Sequence, residues 1–239
     1  LLSMQTARDL DIGQASINYT VGVAQRKLFA RSNLGLIAVN KQVFPDAKLE
    51  NPAYNHNRVL GLEYNLASSD NKWNGKFFHH RSFTPDLSGK NGVTSANVFY
   101  NNLKYDFKLT LQDVGANYNP EVGFARRRDF QRAAGILHWK FYPKAGPLQG
   151  HGPGFEFEIL GNQQYGLTDW GLNALYSFRF RSSTLLDFRL RRDFVYLFAA
   201  FDPTNSGATP LPQGSSYTNN LFRFNLLSDA RKLVYVELS

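Results

Sequence analysis

The run Lys104-Tyr105-Asp106-Phe107-Lys108-Leu109-Thr110-Leu111-Gln112 alternates polar and apolar residues without a slip. Successive side chains of an extended strand point to opposite faces. This run therefore has an oily face, Tyr105, Phe107, Leu109 and Leu111, and a wet one. A helix repeats every ~3.6 residues and cannot sort these residues that way. The pattern recurs along the chain. Leu60, Leu62, Tyr64 and Leu66 alternate with Gly61, Glu63 and Asn65. Trp170, Leu172, Ala174, Tyr176, Phe178 and Phe180 alternate with Gly171, Asn173, Leu175, Ser177 and Arg179. Leu186, Phe188 and Leu190 interleave with Asp187, Arg189 and Arg191, and Phe222, Phe224 and Leu226 with Arg223 and Asn225. Weaker strands are expected over 18–26, 34–42, 73–82, 94–101, 131–142 and 155–162. No segment carries a helical period, and no linker divides the chain.

Composition excludes several classes. Aromatic residues make up 15% of the chain, enough apolar surface to offset the entropy of ordering it, so disorder is excluded. The longest apolar run, Phe194 to Phe201, is far short of the ~20 residues of a spanning helix. Cysteine is absent, which removes disulfides, thiolate metal sites and cysteine nucleophiles. The net charge of +8 is spread over loops and alternating faces without a recognition motif, so nucleic acid is not expected as a partner. No cofactor motif is present.

Tight connections are expected at 28–33, 67–72, 101–103, 181–183 and 228–232. Long ones are expected at 43–57, 83–93, 113–129 and 193–217. Short and long mostly take turns; 143–153 against 163–168 breaks the rule. A meander with tight turns at one end and long loops at the other is the arrangement of an outer-membrane β-barrel. The expected fold is all-β: an antiparallel up-and-down meander of about 12–13 strands, part of a transmembrane barrel. The oily residues quoted above would face lipid, with aromatic ends at the interfaces. The competing fold is a soluble β-sandwich, which alternates for a different reason. The chain opens on Leu1-Leu2-Ser3-Met4 and closes within the alternating run Leu233 to Ser239, so 1–239 is expected to be a single barrel segment truncated at both ends.

Several stretches carry a resemblance. They are Asn18-Tyr19-Thr20-Val21-Gly22, Asn71-Lys72-Trp73-Asn74-Gly75, Ser82-Phe83-Thr84-Pro85, Val114-Gly115, Asn117-Tyr118-Asn119, Glu121-Val122-Gly123-Phe124 and Arg127-Arg128. Further on come Phe141-Tyr142-Pro143, His151-Gly152-Pro153-Gly154, Phe201-Asp202-Pro203-Thr204-Asn205 and Asp229-Ala230-Arg231-Lys232-Leu233. In this order, over most of the chain, they resemble a family of Gram-negative outer-membrane barrels that follow a family-nine-like carbohydrate-binding domain. The resemblance implies a barrel in the bacterial outer membrane, with the binding domain upstream. It implies no particular substrate.

Among chemistry-bearing residues, Arg179, Arg189, Arg191 and Arg223 are expected on one face of three consecutive strands. Adjacent strands are ~4.8 Å apart, so these side chains would form a basic stripe in the lumen, biasing a pore toward anions. Alternatively Glu156, Glu158 and Asp187 neutralise it, since unpaired like charges this close repel. Arg126-Arg127-Arg128 would contact anionic lipopolysaccharide or an acidic ligand, or pair with Asp113, Glu121 or Asp129. His79 and His80, adjacent on a strand, are expected on opposite faces and so in no shared ligand sphere. Gly150-His151-Gly152-Pro153-Gly154 lacks the Lys-Ser/Thr of a phosphate loop and is expected to be a turn. His138, Ser177 and Asp113 have no spacing that singles out a triad, so no enzyme is expected. The functions expected are a pore or solute-uptake barrel for a carbohydrate or anionic solute, or a structural membrane anchor with a plugged lumen. A rim-site hydrolase is the least favoured. The expected surroundings are outer-membrane lipid and lipopolysaccharide.

Overall fold

The computed structural model describes residues 1–11, 13–45, 55–125, 127–229 and 231–238. It is built from β1 (Leu2–Thr6), β2 (Ser16–Leu28), β3 (Ser32–Phe44), β4 (His56–Ala67), β5 (Trp73–Phe83), β6 (Gly92–Asn101) and β7 (Tyr105–Val114). These continue into β8 (Phe130–Trp139), β9 (Leu148–Asn162), β10 (Gly166–Phe180), β11 (Leu185–Tyr196), β12 (Ser216–Leu227) and β13 (Glu237–Leu238). The thirteen strands follow one another in sequence order in one sheet whose order runs open from β1 to β13. The all-β, up-and-down meander is thus as the alternation implied.

Asparagine chemistry closes several of the tight turns. The Asn102 side-chain oxygen accepts from the backbone N–H groups of Lys104 and Tyr105 at 2.7 and 2.8 Å. Asn162 does the same for Gln164 and Tyr165 at 3.1 and 2.7 Å. Such side chains mimic a backbone turn and fix the register of the hairpins they join.

Three differences from expectation have local causes. β1 carries no clear alternation and forms by pairing with β2, from Leu2↔Val21 to Thr6↔Ile17. β8 ends at Trp139, short of Tyr142. The Gly150–Gly154 stretch is not a turn but lies inside β9, paired with β10 from Gly150↔Arg179 to Gly154↔Leu175. Its glycines answer a packing need: a Cβ on Gly152 would stand 1.8 Å from the Trp139 carbonyl oxygen. Local turn propensity lost to cross-strand pairing.

Two compact units can be delineated. The first comprises Leu1–Val98 and Leu111–Gln131, the second Phe99–Thr110 and Arg132–Ser239. Each has an apolar and a polar face. In the first, Leu60 pairs with Ala38, Leu62 with Leu36, and Tyr64 with Leu34 and Phe77. In the second, Tyr176 pairs with Phe188, which pairs with Phe224; Leu190 pairs with Phe222, and Leu172 with Phe157. Directly paired residues share a face. Leu66, Trp170, Phe178, Leu186 and Leu226 fall on the same apolar faces, while Phe180 lies past a register shift and pairs with Leu148.

Burial runs opposite to that of a soluble sheet. Leu60 is 55% exposed and Leu190 61%, while Asn57, Ser82, Thr168 and Asn173 are buried. The buried apolar set is small, centred on Val93, Val114 and Tyr118 with Phe78 and Phe130 packed against them.

Candidate functional site

The polar face of the second unit collects the residues that alternation placed together. Asn173 of β10 stands between Glu156 of β9 and Arg191 of β11, and Arg189 pairs with both Leu175 and Arg223. Ser177 pairs with Asp187, which pairs with Asn225. The four arginines Arg179, Arg189, Arg191 and Arg223 therefore share a face, as their parity requires.

Their partners differ from the simplest neutralisation scheme. Arg191 closes on Asp193, both oxygens at 2.8 Å from its Nε. Glu158 does not serve the stripe but accepts from Arg132 at 2.6 Å. Glu156 accepts from the Asn173 amide at 2.7 Å, with Arg189 at 4.0 Å and His138 at 3.7 Å. Among the described residues, Asp187, Arg179 and Arg223 have no ion pair within 4.0 Å.

Glu156 is thus the centre of a four-strand cluster that is not fully satisfied. His138 Nε2, Asn173 Oδ1 and Arg189 Nε are buried without a hydrogen-bond partner. Beside the cluster lies a groove of about 380 Å³ whose lining includes Asp106, His138, Lys140, Ser177, Arg179 and Asp187. Lys140 is anchored by Asp106 at 2.6 Å. Lys140, Arg132 and Arg191 are each matched to one carboxylate, and Arg179, Arg189 and Arg223 share the face with Glu156, Asp169 and Asp187. His138 stands beside Glu156.

The first unit treats its polar face differently. The connection 115–129 is fastened to it. Asn57 is 0% exposed and donates to Thr84 Oγ1 at 2.7 Å and to the Asn119 carbonyl at 2.6 Å. Its own side-chain oxygen accepts from the Glu121 N–H at 3.2 Å. Ser82 Oγ accepts from the Asn119 N–H at 2.9 Å, and Lys41 pairs with Glu121 at 2.7 Å. Asn117 donates to the Ser88 and Gly89 carbonyls. Tyr118 is buried beside Val93 and Val114, and that burial pushes its phenol above the usual range. Gly115 permits the entry of this connection, since a Cβ there would lie 1.9 Å from the Lys90 carbonyl oxygen. Sequence reading did not single out Asn57, Ser82 or Asn119 as a set; the signal available was the pair of stretches at 82–85 and 117–119, which meet here.

Of the expected basic loop, Arg126 lies outside the described residues. Arg127 sits 5.9 Å from the Phe130 ring centroid, and Arg128 donates to Asn119 Oδ1 at 2.6 Å. Glu121, expected as a partner for this run, is engaged by Lys41. His79 and His80 diverge: His79 bonds Thr94 on the apolar side, and His80 meets Glu63 at 3.0 Å on the polar side. Tyr105, Phe107, Leu109 and Leu111 keep their parity in β7; Thr110 and Val114, of opposite parity, are buried. Phe194 to Tyr196 complete β11, and Tyr196 and Phe198 gather on Tyr165 at 5.7 and 5.0 Å.

Two of the other recurring stretches organise turns. Asp202 accepts from the Thr204 hydroxyl and N–H and from the N–H groups of Ser206 and Gly207, which hold its carboxyl below the usual range. Asp229 accepts from the Arg231 side chain at 2.8 and 2.9 Å and from its backbone at 3.0 Å. Those bonds hold its carboxyl down at about 2. Comparison with protein-family models, with curated proteins and with solved structures returned no significant match.

Proposed function

We propose that the chain is part of a β-barrel in the outer membrane of a Gram-negative bacterium, and that its polar face borders a restricted aqueous path for a small polar or anionic solute. One observation carries the reading. Large apolar side chains are exposed along the paired strands while uncharged polar residues are buried. A sheet in water buries its oily face, whereas one in lipid turns it outward and pairs every backbone group between strands. The Trp170–Phe194 stack and the Tyr176–Phe178–Phe188 group lie towards opposite ends of β10 and β11. That spacing suits two interfacial girdles. The resemblance to barrels that follow a carbohydrate-binding domain agrees, and makes a carbohydrate a reasonable solute. The role proposed is passage, not catalysis.

The absence of native cysteine makes the test direct. Nitroxides at Leu60→Cys and Leu190→Cys in lipid vesicles are expected to collide more with oxygen than with an aqueous nickel complex. Ser177→Cys is expected to show the reverse. Shielding of Leu60→Cys and Leu190→Cys from both reagents would return the chain to the soluble sandwich, whose oily face is buried between sheets. For passage, the protein in a planar bilayer is expected to conduct with a mild anion preference that Arg189→Ser with Arg191→Ser reduces. The fastened connection 115–129 favours one alternative, a membrane anchor with an occluded interior. That alternative predicts insertion without current.

A further inference from the structure

The apolar face of the first unit ends in two arginines that the passage reading leaves unused. Arg58 pairs with Phe83, and Arg81 with Leu60, so both belong to the face of Leu60, Leu62 and Tyr64. They are diagonal neighbours across β4 and β5, which puts their backbones roughly 7–8 Å apart. Both are exposed. Each is held by its Nε alone: Arg58 donates to Asn40 Oδ1 at 3.1 Å and Arg81 to Asn91 Oδ1 at 2.9 Å. Asn91 is itself buried and tied to the Ser82 carbonyl at 2.6 Å. The Arg81 guanidinium lies over the Phe83 ring at 5.7 Å. The stems are therefore fixed by neutral partners, and among the described residues neither charge is compensated by a carboxylate. The flanking paired positions of that face, Thr20, Asn40, Gln42 and His56, carry no acid.

Height along the strand says what this pair meets. The tight connections 29–31 and 68–72 lie at the Leu66 end, and the connection 84–91 at the Arg58 end. From Leu66 to Arg58 the strand climbs roughly 26 Å, or about 20 Å of height at a barrel tilt near 40°. That reaches the upper edge of an apolar band ~25 Å tall, and long arginine stems extend further toward the headgroups. Two guanidinium forks, Arg58 held on the β3 side and Arg81 on the β6 side, with exposed leucines beneath them, match a phosphorylated headgroup carried on acyl chains. A free anion would use the forks but not the leucines.

We propose that Arg58 and Arg81 form a binding site for the phosphate headgroup of an anionic lipid in the leaflet at the long-connection end. The inference rests on the membrane reading above. The test uses the full chain in nanodiscs of zwitterionic lipid, titrated with a diphosphorylated glucosamine-based glycolipid and with its phosphatase-treated form. Wild type is expected to bind the phosphorylated lipid at least about tenfold tighter, and Arg58→Gln with Arg81→Gln to lose that margin. Arg81→Lys, which keeps charge and fold but not the fork, is expected to fall between. Arg26→Gln, on the same face at the tight-turn end, is expected to bind as wild type. Equal binding by wild type and the double variant overturns the site. Competition by inorganic phosphate at equal concentration overturns the lipid as occupant. Failure of wild type to enter nanodiscs at all overturns the membrane reading and this proposal with it. Insertion with no phosphate preference overturns the site alone.

Discussion

The two polar faces are finished to different degrees. In the first unit, the Asn57 amide is wholly buried with its hydrogen bonds between 2.6 and 3.2 Å, and a connection is fastened over it. In the second, Glu156 takes one close bond, from Asn173 at 2.7 Å, beside looser contacts at 3.7 and 4.0 Å, and three neighbouring polar atoms are unpaired. The difference is one of degrees of freedom. Asparagine and serine are short, so their bonds fix backbone to backbone. Arginine, glutamate and histidine are long and charged, so they trade partners at little cost in a wet setting. A satisfied short-chain network makes a clamp, and an unsatisfied long-chain one makes an adaptable surface. The first unit thus holds its own loop, while the second keeps long side chains able to exchange partners.

The largest effects should come from the backbone approaches on which both faces depend. Gly115→Ala and Gly152→Ala each drive a Cβ to within 2 Å of a carbonyl oxygen, at Lys90 and Trp139 respectively. Backbone cannot rotate away as a side chain can, so each should cost about 3 kcal/mol or more. The denaturation midpoint in detergent checks this. If the comparison holds, Gly115→Ala should also free the connection 115–129, raising protease cleavage near Phe124, which is 87% exposed. Gly152→Ala should leave that cleavage unchanged.

Next comes the clamp itself. Asn57→Ala removes three hydrogen bonds from a fully buried position and leaves the Asn119 carbonyl without its donor. A loss of roughly 2–3 kcal/mol is expected, confined to the fastening of the connection. The amide hydrogens of Asn119 and Glu121 should then exchange on the order of 100-fold faster. Unchanged exchange would mean that Tyr118 burial, not the amide network, holds the loop. Glu156→Gln is the matching change in the second unit. The amide oxygen can still accept from Asn173, and the other contacts are loose, so the loss should be under ~1 kcal/mol. A loss as large as that of Asn57→Ala would show that the cluster is a rigid element and would erase the contrast.

How much of this was legible in the sequence depends on range. Alternation puts Arg189 and Arg223 on one face and Tyr176 and Phe188 on the other, as the pairing has them, because parity survives any register that keeps the faces apart. It could not say that Glu158 serves Arg132, since partner choice depends on exact register and rotamer. The Gly150–Gly154 stretch was misread because glycine and proline signal turns locally, whereas here the requirement comes from a neighbouring strand's carbonyl. Asn57 gave no signal: a single asparagine inside a strand looks like any polar residue until a segment 62 residues away bonds to it. Arg58 and Arg81 sit on oily parity at the loop end, where a charged residue simply looks like the end of the alternating run.

The smallest effect tests whether short-range ion pairing behaves as a clamp too. Asp229 in the connection 228–236 takes three bonds from Arg231, whose guanidinium also donates to Ser183 at 2.8 Å. Its carboxyl is drawn from 3.8 to about 2, chiefly by the Arg231 side chain and then by its backbone N–H. A carboxyl held low in the folded state stabilises above its ordinary range, and that contribution is lost as pH falls through the folded value. The turn should therefore stay closed at pH 4 and loosen only as pH falls through about 2. The Asp229 carboxyl carbon, followed by NMR in micelles, should titrate near 2 in wild type and nearer 3.8 in Arg231→Gln. The Val236 amide, which donates to Ser228 Oγ at 2.7 Å, should keep its exchange protection over the same range in wild type. If Arg231→Gln leaves the titration where it is, the pair is a solvated surface contact. The turn would then owe its shape to Ser228 and the Val236 backbone, and the Asp229–Arg231 pair would be no clamp.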